Sequence, residues 1–67
     1  MEYTKLEEFL VLYGISDSEL ARHLGLSRQA VRRSRLMGLK ERNTLYRYAK
    51  GLTRLIGREV KSIDLKD

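Results

Sequence analysis

Three times between residues 4 and 38 a hydroxyl side chain is followed nine to eleven residues later by a glycine: Thr4 and Gly14, Ser16 and Gly25, Ser27 and Gly38. A Ser or Thr oxygen at a helix N-cap accepts an otherwise orphaned backbone amide, and a glycine past the last turn takes the left-handed conformation that ends a helix. That rhythm leaves room only for short helices joined by almost no connecting chain. Glu7 and Glu19 stand three residues after Thr4 and Ser16, the spacing of a capping box, and Asp17 adds negative charge where the helix dipole favours it. The pattern predicts helices over about 5–13, 17–24 and 28–36. Their apolar residues are Leu6, Phe9, Leu10 and Tyr13, then Leu20, Ala21 and Leu24, then Ala30 and Val31 with Leu36 and Met37 at the end. Gly25 supplies the sharp turn between the second and third helices, with Leu26 directed into the core behind it.

Leu39 to Arg42 reads as a connection, after which Asn43 or Thr44 caps a fourth helix over about 44–56 with the stripe Leu45, Tyr48, Ala49, Leu52, Leu55 and Ile56. Gly51 interrupts that stripe at a cost of about 1 kcal/mol relative to Ala. Gly57 closes the helix. The tail, Arg58 to Asp67, is either an extended segment with Ile63 and Leu65 on one face or a frayed end. The expectation is an all-α single domain over residues 1–67.

Sixty-seven residues bury only about 60% of the surface their unfolded chain exposes. With no cysteine and a single histidine, neither a disulfide nor a zinc site is available as a staple, and no metal or cofactor is expected. Oligomerisation is the remaining remedy. No run approaches the roughly 18 apolar residues of a membrane span and the N-terminus is acidic, which predicts a soluble, cytoplasmic protein with no membrane partner.

The net charge of +5 conceals a segregation. Residues 1–20 carry one Lys against five acids, residues 21–50 carry nine Lys and Arg against Glu41 alone, and residues 51–67 carry four bases against three acids. A run of Arg on an exposed helix is ordinarily a solvated surface. Here the acids that a merely soluble helix interleaves are missing from 20 to 40, so the charge points to a polyanion, an acidic protein surface or an anionic membrane.

Within LARHLGLSRQAVRR, Leu20, Ala21, Gly25, Leu26, Ser27 and Val31 carry a resemblance to the lambda Cro and phage-repressor type of helix-turn-helix regulator. Each position has a physical reason: Ala21 is small where two helices cross, Gly25 turns, and Val31 fills the angle between the helices. The resemblance spans about residues 4–57, with the motif at 16–36 as its sharp part. It implies a four-helix, lambda-repressor-like domain that binds double-stranded DNA through the major groove as a homodimer on an approximately palindromic operator, as a nucleoid-associated transcriptional regulator or repressor. Two positions depart from the family pattern. Ser34 replaces a larger apolar residue, which predicts looser packing of the third helix on the fourth. Asp17 stands where a backbone-touching Gln is usual, which argues against that phosphate contact.

Position for position, the base-reading residues fall on Arg28, Gln29, Arg32 and Arg33. Arg can give two hydrogen bonds to guanine O6 and N7, and Gln can do the same for adenine N6 and N7. Ser27 at the cap, Arg22, Arg35, Lys40, Arg42 and Asn43 are candidates for the DNA backbone. Leu55, Ile56, Ile63 and Leu65 offer apolar surface for a dimer, and a short C-terminal β-strand pairing with its twin is one way to form it.

Catalysis has little to stand on. His23 has no Cys or second His to partner it, Glu7 and Glu8 diverge on a helix, and the glycines lie singly, unlike a phosphate loop. Neither an enzyme nor a small-molecule substrate is expected. Tyr13 and Tyr48 read as core or boundary residues and Tyr46 as partly exposed. Two rivals remain: an antitoxin-type autoregulator that also binds a toxin, and a basic protein-interaction adaptor.

Overall fold

The computed structural model describes residues 3–67 and contains, within them, five helices: α1 Lys5–Tyr13, α2 Asp17–Leu24, α3 Arg28–Met37, α4 Arg42–Ile56 and α5 Ser62–Leu65. The first three start where the hydroxyls predict. Thr4 Oγ1 accepts the Glu7 amide, Ser16 Oγ the Glu19 amide and Ser27 Oγ the Ala30 amide, each at 3.1 Å. The reciprocal half of the first capping box is not made, because the Glu7 carboxylate is turned toward α3.

α4 begins two residues before the predicted start, at Arg42, and its N-cap is Glu41, which makes no side-chain capping bond. Asn43 and Thr44 therefore lie inside the first turn and cap nothing. The core draws Leu6 and Leu10 from α1, Leu20 and Ala21 from α2, Val31 alone from α3, and Leu45, Tyr48, Ala49 and Leu52 from α4. Gly51 is explained by α2: a Cβ at that position would lie 2.5 Å from Leu24 Cδ2, so the bare backbone lets the two helices approach.

The tail is where expectation and structure part. It is neither a strand for a partner nor a frayed end. Val60 and Leu65 are buried, Leu65 completely, and Ser62–Leu65 forms one helical turn packed against α4 and α1. Thr53 Oγ1 donates to Ala49 O at 2.8 Å and accepts the Val60 amide at 2.9 Å, fixing the chain as it leaves α4. Leu39 and Lys66 form an isolated parallel bridge, and Asp67 Oδ1 accepts the Lys5 amide at 2.7 Å at the start of α1. A small core with one anchor from α3 gains more from burying these apolar residues internally than from leaving them in water for a second chain.

Candidate nucleic-acid interface

Gly25 adopts φ 70°, and the Leu26 amide folds back onto Ala21 O at 2.9 Å, so α2 ends and α3 begins within three residues. Leu26 packs against the core, Val31 is fully buried, and Ala21 keeps only 3% of its surface exposed where α2 meets α3. This anchoring decides which way α3 faces. At 100° per residue, Val31 points inward while Gln29 and Arg33 point away, with Arg28 and Arg32 to one side. All four are exposed, and among the described residues none of the three arginines has an acidic partner. Arg28, Gln29 and Arg32 line one open cleft with Ser16, Asp17 and Ser18 at the start of α2.

The flanking candidates divide. Ser27, Arg22, Lys40, Arg42 and Asn43 are exposed around this helix, and Lys40 shares a second cleft with Arg33, Met37 and Thr44. Arg35 does not belong with them. Its Nε and Nη2 donate to Glu7 Oε1 and Oε2 at 2.6 and 2.7 Å, and its Nη1 donates to Asp17 Oδ1 at 2.7 Å. Three of its five guanidinium N–H groups are held by two carboxylates, so Arg35 is engaged within the fold where the other candidates stand exposed. The Arg35 hydrogen bonds hold the Glu7 carboxyl below the usual carboxylate range, although partial burial works the other way. The same pairing, led by the bonds to Glu7, raises the Arg35 pKa further.

Ser34, expected to loosen the contact with α4, accepts a hydrogen bond from the Tyr48 hydroxyl at 3.0 Å. A larger apolar side chain there would leave that hydroxyl, on a side chain almost wholly buried, without its partner. Arg47 and the outer face of α1 did not stand out in the sequence, and Leu36 and Met37, read there among the apolar residues of the third helix, are exposed. Arg47 Nη2 donates to Leu24 O at 3.1 Å, closing the C-terminal end of α2 with a positive charge that suits its dipole. Leu36, 73% exposed, lies on the outward face one turn beyond Arg32 and Arg33. Val11 and Leu12 on α1, with Tyr3 just ahead of the helix, leave a separate apolar strip beside Glu8.

Of the four apolar residues assigned to a dimer contact, Ile63 is exposed, Leu55 and Ile56 are half-buried against the core, and Leu65 is inside it. They do not form one free surface. Among the described residues no cluster of His, Cys, Asp or Glu is arranged to hold a metal ion, and no helix is long and apolar enough to cross a membrane. Comparison with protein-family models, with curated proteins and with solved structures finds no match to this chain.

Proposed function

We propose that this protein is a sequence-specific DNA-binding transcriptional regulator of the helix-turn-helix kind, with α2 and α3 as the motif and α3 entering the major groove. The observation that carries the reading is the outward face of α3, where Arg28, Gln29, Arg32 and Arg33 stand exposed and without acidic partners on a helix anchored from behind. Their hydrogen-bonding groups suit guanine and adenine edges, each good bidentate pair discriminating by about 1–3 kcal/mol. Leu36, on the same face, offers an apolar contact to a thymine methyl group.

Ser27, Arg22, Lys40, Arg42 and Asn43, all exposed, would meet phosphates, a role that fixes register without reading sequence. One recognition helix reads too few base pairs for useful affinity, so the reading includes a homodimer. Its twofold axis would set two copies of α3 about 34 Å apart on a palindromic operator. The apolar strip of Tyr3, Val11 and Leu12, remote in character from the cationic helix, favours one second reading: an autoregulator that also binds a protein partner, as antitoxins do.

Selection of bound duplexes from a random pool tests the proposal. A single enriched sequence, bound far more tightly than its scrambled version and with steep salt dependence, is the expected result. Equal, weak binding to every duplex favours a basic adaptor that meets an acidic protein.

A further inference from the structure

Arg35 is the cation of α3 that the proposed DNA contact does not use, and its surroundings are more specific than those of any other charged residue in the described chain. Three guanidinium N–H groups meet two carboxylates from two helices, Glu7 of α1 and Asp17 of α2, all within 2.7 Å. Its backbone carbonyl accepts Thr4 Oγ1 at 2.6 Å, a second tie between the start of α1 and the same residue. The Arg35 side chain is 19% exposed, and those of Glu7 and Asp17 are 20% and 23% exposed. The pairing is thus partly shielded from the solvent that weakens surface ion pairs.

α3 needs such a tie. Val31 is its one fully buried side chain and sets the depth of the helix, while rotation about the helix axis is resisted by the polar ties on either side of it, Ser34 to Tyr48 and Arg35 to Glu7 and Asp17. Base readout tolerates little rotation. On a helix about 10–12 Å across with its side chains, a turn of about 20° carries an outward tip by roughly 2 Å, beyond the window of a hydrogen bond. A planar guanidinium gripped from α1 and α2, one turn past Val31, opposes that rotation.

We propose that Arg35 is a positioning residue for base recognition: clamped by Glu7 and Asp17, it fixes the rotational setting of α3 from which Gln29, Arg32 and Arg33 read base edges. The proposal rests on the DNA-binding reading above, and it separates from a phosphate-contact role by sign. If Arg35 bound a phosphate, Glu7 and Asp17 would compete with DNA for it. Releasing it would then strengthen binding to every duplex and steepen the salt dependence. As a positioning residue, its release lowers discrimination and leaves the number of phosphates neutralised unchanged.

The experiment compares wild-type protein with Glu7→Gln, Asp17→Asn, Arg35→Met and Arg35→Lys on the selected operator and a scrambled duplex. It is done over a salt series at a temperature where thermal melts show each variant folded. Glu7→Gln and Arg35→Met are expected to reduce the operator-to-scrambled affinity ratio about tenfold, with the slope of log affinity against log salt unchanged. Arg35→Lys keeps the charge but loses the fork, and is expected to leave the ratio low. Should Arg35→Met fail to fold, Glu7→Gln and Asp17→Asn decide, since each keeps the shape of the side chain it replaces.

A slope shallower by about 0.9 in Arg35→Met, or steeper in Glu7→Gln, means that Arg35 binds phosphate and overturns the proposal. A ratio that Glu7→Gln and Asp17→Asn leave unchanged, or that Lys restores, overturns it as well, with DNA reading intact. Wild-type protein that binds both duplexes alike removes the DNA-binding reading itself, and this inference with it.

Discussion

Arg32 and Arg35 lie three residues apart on α3 and are put to opposite uses. Arg32 stands on the outward side with no acidic partner among the described residues, while Arg35 turns toward the core flank and is held by Glu7 and Asp17. Forty degrees on the helix separates Arg35 from Val31, the buried anchor, against a hundred for Arg32. The charge is the same in both. What differs is whether neighbouring helices present carboxylates to it: Arg35 is paired within the fold and Arg32 is not.

The contrast between inward and outward side chains can be broken most forcefully in the tail. Leu65→Ala should cost about 2–5 kcal/mol in denaturant or thermal unfolding, because Leu65 is completely enclosed, whereas exposed Ile63→Ala should stay within about 0.5 kcal/mol. Comparable, small effects at both positions would return the tail to the free surface. On the outward face, Gln29→Ala and Arg33→Ala should each weaken operator binding by about 1–3 kcal/mol while sparing scrambled duplex. Lys40→Ala or Arg42→Ala should lower both alike and reduce the salt slope by about 0.9. Identical losses for the two groups would show that base-reading and backbone positions have been assigned wrongly.

Smaller effects sharpen the account of how α3 is held. Arg35→Met should destabilise the fold by about 1–2 kcal/mol, since two partly shielded carboxylates lose their partner, and Arg32→Met by no more than about 0.5 kcal/mol. Ser34→Ala, which leaves the Tyr48 hydroxyl without its acceptor, should cost about 1 kcal/mol. The least of these is an acid effect. The folded Glu7 pKa lies below that of the unfolded chain, so the contribution of the pair is fully present above the ordinary value of 4.5. It is lost as pH falls through the lower folded value. Stability curves of Glu7→Gln should be flatter than wild type in that acid window.

The first three helices were legible because their ends carry their own side-chain chemistry: Thr4, Ser16 and Ser27 accept amides at the expected positions, and Gly14 and Gly25 take the left-handed turn. The start of α4 was not legible, since Glu41 caps it through the backbone alone. Nor was the tail, because a four-residue helix has no periodicity and Val60 and Leu65 look, in sequence, like spare apolar surface. Placement of Arg28, Gln29, Arg32 and Arg33 on an exposed face followed from Val31 alone. The pairing of Arg35 did not, although its nearness to Val31 on the helix and the acid at Asp17 were both signals. They could be joined only once α1 and α2 were seen to bring their acids to the same point.

Whether the outward face of α3 reads base sequence is decided by the affinity ratio between the selected operator and its scrambled duplex at physiological salt. A ratio of at least about a thousand is expected, reduced by about 1–3 kcal/mol in Gln29→Ala and in Arg33→Ala. A ratio near one, with both duplexes bound weakly and released by salt, would contradict base reading by α3.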